Sequence, residues 1–362
     1  MDSLGVDVHV VSPYVGFYNY QLDSGLALAT SRETNDEIAG MVRGWPQRFA
    51  GLGTLPMQDV KASIDELERC MTQLGLKGVE INDHVNGRTF EEPEFRPFWK
   101  AAEQMGAVIF FHQAGETLVA QRSTRYHLPN SIGNLVDRAV TFATLVHGGV
   151  MDAHPDLKIV LGHGGGYTCY GIGRMDHGWQ VRSEAREHIA QPPSAYLRRF
   201  YYDCIVYTEP ALRFLIDTVG VDRVVFGTDW PYDMALDWPV AWILGMKTLS
   251  QDEKNAILWQ EPRASAGDLS HEGGLRDQPR LERRPPRRCR HAEVHGAGAD
   301  GRRLRRHRHR HLRLGVSRRR RLRAGHADGA WPRRARPSGC ARATRSPASR
   351  RSWRRSSPRS TA

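Results

Sequence analysis

Along the first 259 residues, short runs of β-branched and aromatic residues alternate with stretches whose apolar positions recur at helical spacing. Seven runs have strand character: 6–12 (VDVHVVS), 49–56 (FAGLGTLP), 76–82 (LKGVEIN), 107–112 (AVIFFH), 158–163 (KIVLGH), 200–206 (FYYDCIV) and 223–229 (RVVFGTD). Between them, residues 60–74 place Ile64, Leu67, Cys70, Met71 and Leu74 on one helical face, and residues 95–105 do the same with Phe98, Ala101 and Ala102. A last helix opens on the capping-box pattern from Ser250 to Glu253 and runs to Trp259. Strands alternating with helices predict an α/β fold with a parallel sheet. Several runs end on Asn82, His112, His163 or Asp229. In a (β/α) barrel the carboxyl ends of the strands form the active-site rim, so such endings read as chemistry. A closed barrel takes eight strands; with seven, the expectation is an open fold or one strand absent from the chain.

Composition divides the chain at the end of that last helix. Residues 260–362 contain no Lys, Ile, Phe, Tyr, Asn or Met, while roughly three residues in ten are Arg. The missing types have AT-rich codons, so this segment is expected to be a GC-rich gene read out of frame, without the apolar periodicity to bury a core, and disordered. The predicted organisation is a barrel domain over 1–259 and an Arg/Pro/Gly-rich extension over 260–362.

The formal net charge of +12 is apportioned accordingly. The body carries about 22 Lys and Arg against 32 Asp and Glu, and the extension about 30 Arg against 8 acids. A run such as RRLRRHRHR at 302–310 would bind nucleic acid non-specifically through charge alone, but no specific nucleic-acid partner is expected. Cys70, Cys169, Cys204, Cys289 and Cys340 form no CxxC pair and imply neither a disulfide framework nor a zinc knuckle. No signal peptide and no apolar run of about 18 residues is present, so the expected setting is the cytoplasm, away from membranes.

The candidate chemistry is a constellation of His112, His163 in the GHGGG segment 162–166, and Asp229 in GTDWP at 227–231. Imidazole and carboxylate from three strand rims suit a divalent ion such as Zn2+, which takes nitrogen and oxygen ligands. The glycine segment lacks the Lys-Ser/Thr of a P-loop and does not fit GxGxxG; its glycines let backbone pass close to a ligand beside His163. His9 sits within a strand and is read as structural. His84, His127, His147, His154, His177 and His188 are read as surface or capping residues, with His84 and His177 the last to be set aside. Arg174 and Arg182, eight residues apart, either present two guanidinium groups to a dianionic acid from one helical face or belong to a solvated face.

These segments, with GVDVHVVSP at 5–13, GLGTLPMQD at 51–59, HVNGR at 84–88 and KIVLGHGGG at 158–166, resemble the amidohydrolase superfamily. They are most similar to its branch of metal-dependent, non-oxidative carboxy-lyases typified by aminocarboxymuconate-semialdehyde decarboxylase. The resemblance spans about 1–259. It implies a TIM-type (β/α)8 barrel, one divalent metal, most often zinc, no organic cofactor, and a small unsaturated or aromatic carboxylic acid as substrate. It implies that His112 and Asp229 are metal ligands and that His163 is the acid/base that moves the proton during hydration and loss of carbon dioxide. Arg174 matches an arginine supplied by a partner subunit to substrate carboxylates, which implies a homodimer; Arg182 and Trp230 are carried over as further substrate contacts.

The same resemblance aligns the first run, 6–12, with the family's second strand. The first strand and its His-x-His metal ligands are thus expected to be absent, and the barrel is expected to expose two sheet edges. The chain as written is accordingly expected to bind metal weakly and to be impaired. Hydrolysis or hydration on the same scaffold is the alternative reaction.

Overall fold

The computed structural model describes residues 1–260; the extension from 261 onward, with Cys289 and Cys340, lies outside the described residues. All seven expected strands form: β1 (His9–Val11), β2 (Phe49–Gly51), β3 (Gly78–Ile81), β4 (Val108–Phe111), β5 (Lys158–Leu161), β6 (Phe200–Asp203) and β7 (Val224–Val225). Each is shorter than its hydrophobic run, because the last residues of each run leave the ladder to form the rim. The helices are α1 (Ser24–Gly44), α2 (Val60–Thr72), α3 (Arg96–Met105), α4 (Asn134–His147), α5 (Val150–Ala153), α6 (Thr168–Val181), α7 (Glu209–Val219), α8 (Pro239–Gly245) and α9 (Gln251–Asn255).

Every ladder is parallel and sequential: β1 pairs β2, and β3 through β7 follow in order. Backbone bonds from Lys77 N to Gly51 O at 2.9 Å and from Glu80 N to Gly53 O at 2.8 Å carry the sheet from β2 into β3. Among the described residues no ladder joins β7 to β1, so the barrel is open there, and Val8 and Val10 lie 52% and 43% exposed. Gly78 shows how tightly β3 and β4 meet. Its φ is +153°, and a Cβ there would fall 1.9 Å from the Val108 carbonyl oxygen, so only glycine fits.

The helices form where the spacing places them and are capped by side chains. Asp23, Asp59, Thr208 and Ser250 accept from the first free N–H groups of α1, α2, α7 and α9, and Ser250 with Glu253 completes the capping box. The final helix differs from expectation: α9 ends at Asn255 and the backbone continues as a π turn over Ala256–Gln260.

Under β3 and β4 the core is aromatic, with Phe90, Phe95, Phe98, Trp99 and Phe111 all buried and Trp99 Nε1 donating to Phe90 O at 2.8 Å. Each such side chain contributes roughly 1.5–3 kcal/mol by burial. On the other flank, buried Glu66 of α2 accepts from Asn35 of α1 at 2.8 Å and from Arg69 and Arg32. Asn35 in turn exchanges two bonds with Thr54. This network fixes α1, α2 and the end of β2 against one another, and the strand ends then converge on one rim.

Candidate active site

His112 follows β4, its N–H donating to Ile81 O of β3 at 3.0 Å. His163 opens a tight turn after β5 with φ +56°, followed by Gly164, Gly165 and Gly166, all at positive φ. Asp229 lies beyond β7, also at positive φ, in a loop closed by Tyr232 N to Asp229 O at 3.0 Å and Leu236 N to Thr228 O at 3.1 Å. These three rim residues meet: one donor atom from each lies within 4.8 Å of the others. The imidazole centroids are 5.0 Å apart, and His112 Nε2 is 3.8 Å from Asp229 Oδ1.

Electrostatics separates the two histidines. Burial alone pushes His112 down, but the approach of Asp229 and the charge of Glu80 outweigh it and raise its pKa above the ordinary value. Burial drives His163 well below the usual histidine range, and the charges of His112 and Arg138 push the same way. Among the described residues the buried Nδ1 atoms of both rings have no hydrogen-bond partner. Two imidazoles and a carboxylate at this spacing fit a divalent cation, with His112 and Asp229, and His163 beside them, as the residues that would hold it.

The depressed His163 has a consequence for stability. Its folded pKa lies below the unfolded value of about 6.5, so its contribution is full above that pH and is lost as pH falls toward the folded pKa. His112, raised, works oppositely: its contribution is full below about 6.5 and fades as pH rises through its folded pKa. Thermal melts in chelator at pH 7.5 and 5.5 should therefore show a smaller acid loss for His163→Gln than for the parent chain. An equal loss would mean that His163 is not held neutral by the fold.

The other expected site residues lie outside the three-donor cluster. Arg174 is exposed on α6, whereas Arg182 follows the helix in extended backbone at φ −120°, so the two do not share a helical face. Trp230 is 64% exposed, 6.3 Å ring to ring from His9, and joined to Pro231 by a cis bond. His84 has both ring nitrogens engaged, with Glu116 O and Gly87 N, as a structural residue would. His177 is exposed on α6.

Several buried groups around the site were not anticipated. The Tyr18 hydroxyl lies 2.7 Å from Glu80 Oε1 and 3.0 Å from the His112 carbonyl oxygen. Glu80 is buried in β3, and burial raises its pKa against the opposing pull of His112, Ser12 and Tyr18. The Tyr18 hydroxyl donates to Glu80, with the His112 carbonyl oxygen as a second acceptor within its reach. Tyr232 stacks on the His112 ring at 6.2 Å. Behind the site, Arg138 and Asp83 form a buried pair at 2.9 Å. A cavity of about 510 Å³ opens beside the site, lined by Tyr18, Tyr20, Asn82, Asp83, His84 and Asp137 among others; it shares Tyr18 with the site, but the three donors do not line it.

Comparison with known proteins gives these features a context. The family described as Amidohydrolase matches residues 6–264. A 2-amino-3-carboxymuconate-6-semialdehyde decarboxylase from Dictyostelium discoideum is 34% identical over 255 residues, covering 70% of each chain. The crystal structure of 5-carboxyvanillate decarboxylase from Sphingomonas paucimobilis is similar with a TM-score of 0.68 and 29% identity, over 73% of this chain and 80% of that one. A dihydroxybenzoic acid decarboxylase from Polaromonas, solved with manganese and the inhibitor 2-nitroresorcinol, matches with a TM-score of 0.67 and 26% identity, over 74% and 83% of the respective chains.

Proposed function

The chain belongs to the amidohydrolase family, with its TIM-type barrel, and from that membership we propose that it is a metal-dependent carboxy-lyase for a small unsaturated or aromatic carboxylic acid. The observation that supports this most directly is the convergence of His112, His163 and Asp229 from the rims of three strands. A bound divalent ion would supply Lewis-acid charge and a water of lowered pKa. Zinc suits the His and Asp donors, and manganese in a structural relative marks the other candidate.

The remaining steps fall to the chain's own residues. His163, held neutral, would take up a proton in passing and deliver it to the ring or alkene carbon as the carboxylate carbon departs as carbon dioxide, its lowered pKa favouring delivery over retention. One proton is consumed per carbon dioxide released. Asp229 holds negative charge beside His112, and Tyr232 and Trp230 give the mouth aromatic walls for a planar substrate. Arg174, exposed on α6, serves the substrate of a second protomer in the homodimer that belongs to this reading; Tyr170 on the same helix is 85% exposed. Buried free Cys70, Cys169 and Cys204 accord with a reducing cytoplasmic setting.

The test is metal content and product analysis on the full chain supplied with zinc or manganese. Near-stoichiometric metal, in place of the weak binding expected from the sequence, with carbon dioxide released from 2,6-dihydroxybenzoate, 5-carboxyvanillate or aminocarboxymuconate semialdehyde, is the result that supports the reading. Ring opening or water addition without carbon dioxide transfers the chain to the hydrolase or hydratase reading. Absence of both metal and turnover defeats the proposal.

A further inference from the structure

We propose that Asp203, at the end of β6, is a positioning residue that sets the direction of the His163 imidazole and couples it to the loop bearing Asp229. The role given to His163 rests on the carboxy-lyase reading; the geometry of the turn does not. Asp203 is buried, 7% exposed, and belongs to no donor cluster among the described residues. Its carboxylate accepts three backbone N–H groups: Oδ2 from His163 at 2.8 Å, and Oδ1 from Gly164 at 2.9 Å and Ile205 at 2.9 Å.

The turn it grips is an unusual one. His163 has φ +56°, a left-handed conformation that a residue with a Cβ keeps only where its surroundings hold it, and three left-handed glycines follow. Without an acceptor the His163 and Gly164 amides would be orphaned, since both precede the next helix. A carboxylate suits the task because it only accepts. An amide in its place turns an NH2 group toward one of three donors.

The neighbouring residue ties the second loop. Cys204 Sγ accepts from Gly227 N at 3.4 Å and lies 3.6 Å from Gly227 O, two residues before Asp229. A Cβ on Gly227 would stand 3.1 Å from Asp203 Cβ, so β6 and the β7 loop are in contact there. The end of β6 thus fixes the spacing between His163 and Asp229 without contributing an atom to either side chain.

The experiment compares the full-length parent chain, Asp203→Asn, Gly164→Ala and Glu66→Gln. Glu66 is a buried carboxylate remote from the rim, and Gly164→Ala sets a Cβ against Val206 and so displaces the same turn with Asp203 intact. The readouts are thermal melts, the 15N-histidine imidazole signals of His163 assigned through His163→Gln, and kcat and KM for carbon dioxide release. Asp203→Asn and Gly164→Ala should both move the His163 signals and lower kcat by about 10²-fold, the effect of roughly 1 Å of misplacement, with KM changed far less. Glu66→Gln should lower the melting temperature alone.

Unchanged His163 signals in Asp203→Asn, or a loss confined to melting temperature as in Glu66→Gln, overturns the proposal. Amide exchange in the parent chain decides the matter even if Asp203→Asn does not fold: His163 and Gly164 N–H should exchange slowly, and exchange at the rate of an open loop refutes the contact. If no chain releases carbon dioxide, the carboxy-lyase reading fails while the histidine signals still judge Asp203.

Discussion

His112→Ala is expected to abolish stoichiometric metal binding and to lower kcat/KM for carbon dioxide release by at least roughly 10²–10³-fold, the scale on which one lost electrostatic partner of a transition state slows turnover. His112 stands at the centre of the cluster, 5.0 Å from the His163 ring and 3.8 Å from Asp229, so no other side chain replaces its nitrogen. Its removal also leaves Asp229 without its partner and opens space between Phe110 and Tyr232. A fall in melting temperature should therefore accompany the loss of metal. Elemental analysis together with steady-state rates separates these effects. One equivalent of metal and unchanged kcat/KM in a folded His112→Ala chain would show that the three donors are not the metal site. Asp229→Asn, which keeps shape and one oxygen while losing charge, should lie between this variant and the parent.

The three donors were legible because strand period and rim position are local properties. Alternation ends where a strand ends, and ionisable residues at three such ends point to one shared rim. By the same logic Asp203 was within reach. It closes β6, but the run FYYDCIV continues apolar beyond it, so the strand was drawn through Asp203 to Val206 instead of ending there.

Glu80, Asp83 and Arg138 were not legible. Glu80 sits inside β3, where every residue is buried, and its partner Tyr18 lies 62 positions away. Arg138 lies on α4 among residues whose spacing says only that one face is covered; that the guanidinium itself faces inward depends on Asp83, 55 positions earlier. Polar groups buried by long-range pairing leave no periodic trace. The helical face offered for Arg174 and Arg182 together was lost for the opposite reason: spacing of eight suggests one face, but α6 ends at Val181, one residue short.

Asp83→Ala is expected to cost about 3–5 kcal/mol of folding stability, the usual result of leaving one member of a buried ion pair alone. Arg138 has no solvent exposure, its NH1 donates to Asp83 Oδ1 at 2.9 Å, and Thr141 Oγ1 donates to the same oxygen at 2.6 Å. Among the described residues Arg138 Nε and NH2 and the second Asp83 oxygen have no partner, so the pair is incompletely satisfied even when intact. An incompletely bonded pair repays little of its desolvation, and replacing both members by apolar groups is then expected to be nearly neutral. Urea denaturation should show Asp83→Ala strongly destabilised and the double variant Asp83→Ala with Arg138→Met recovering most of the loss; a double variant no better than the single would mean that the guanidinium is not what makes the single costly. Function gives the pair a reason to exist despite that cost. Arg138 pushes His163 toward its neutral form, so the double variant, though folded, should titrate His163 at a higher pH than the parent chain in the same histidine spectra. A stable double variant with an unshifted His163 would confine the role of Arg138 to packing.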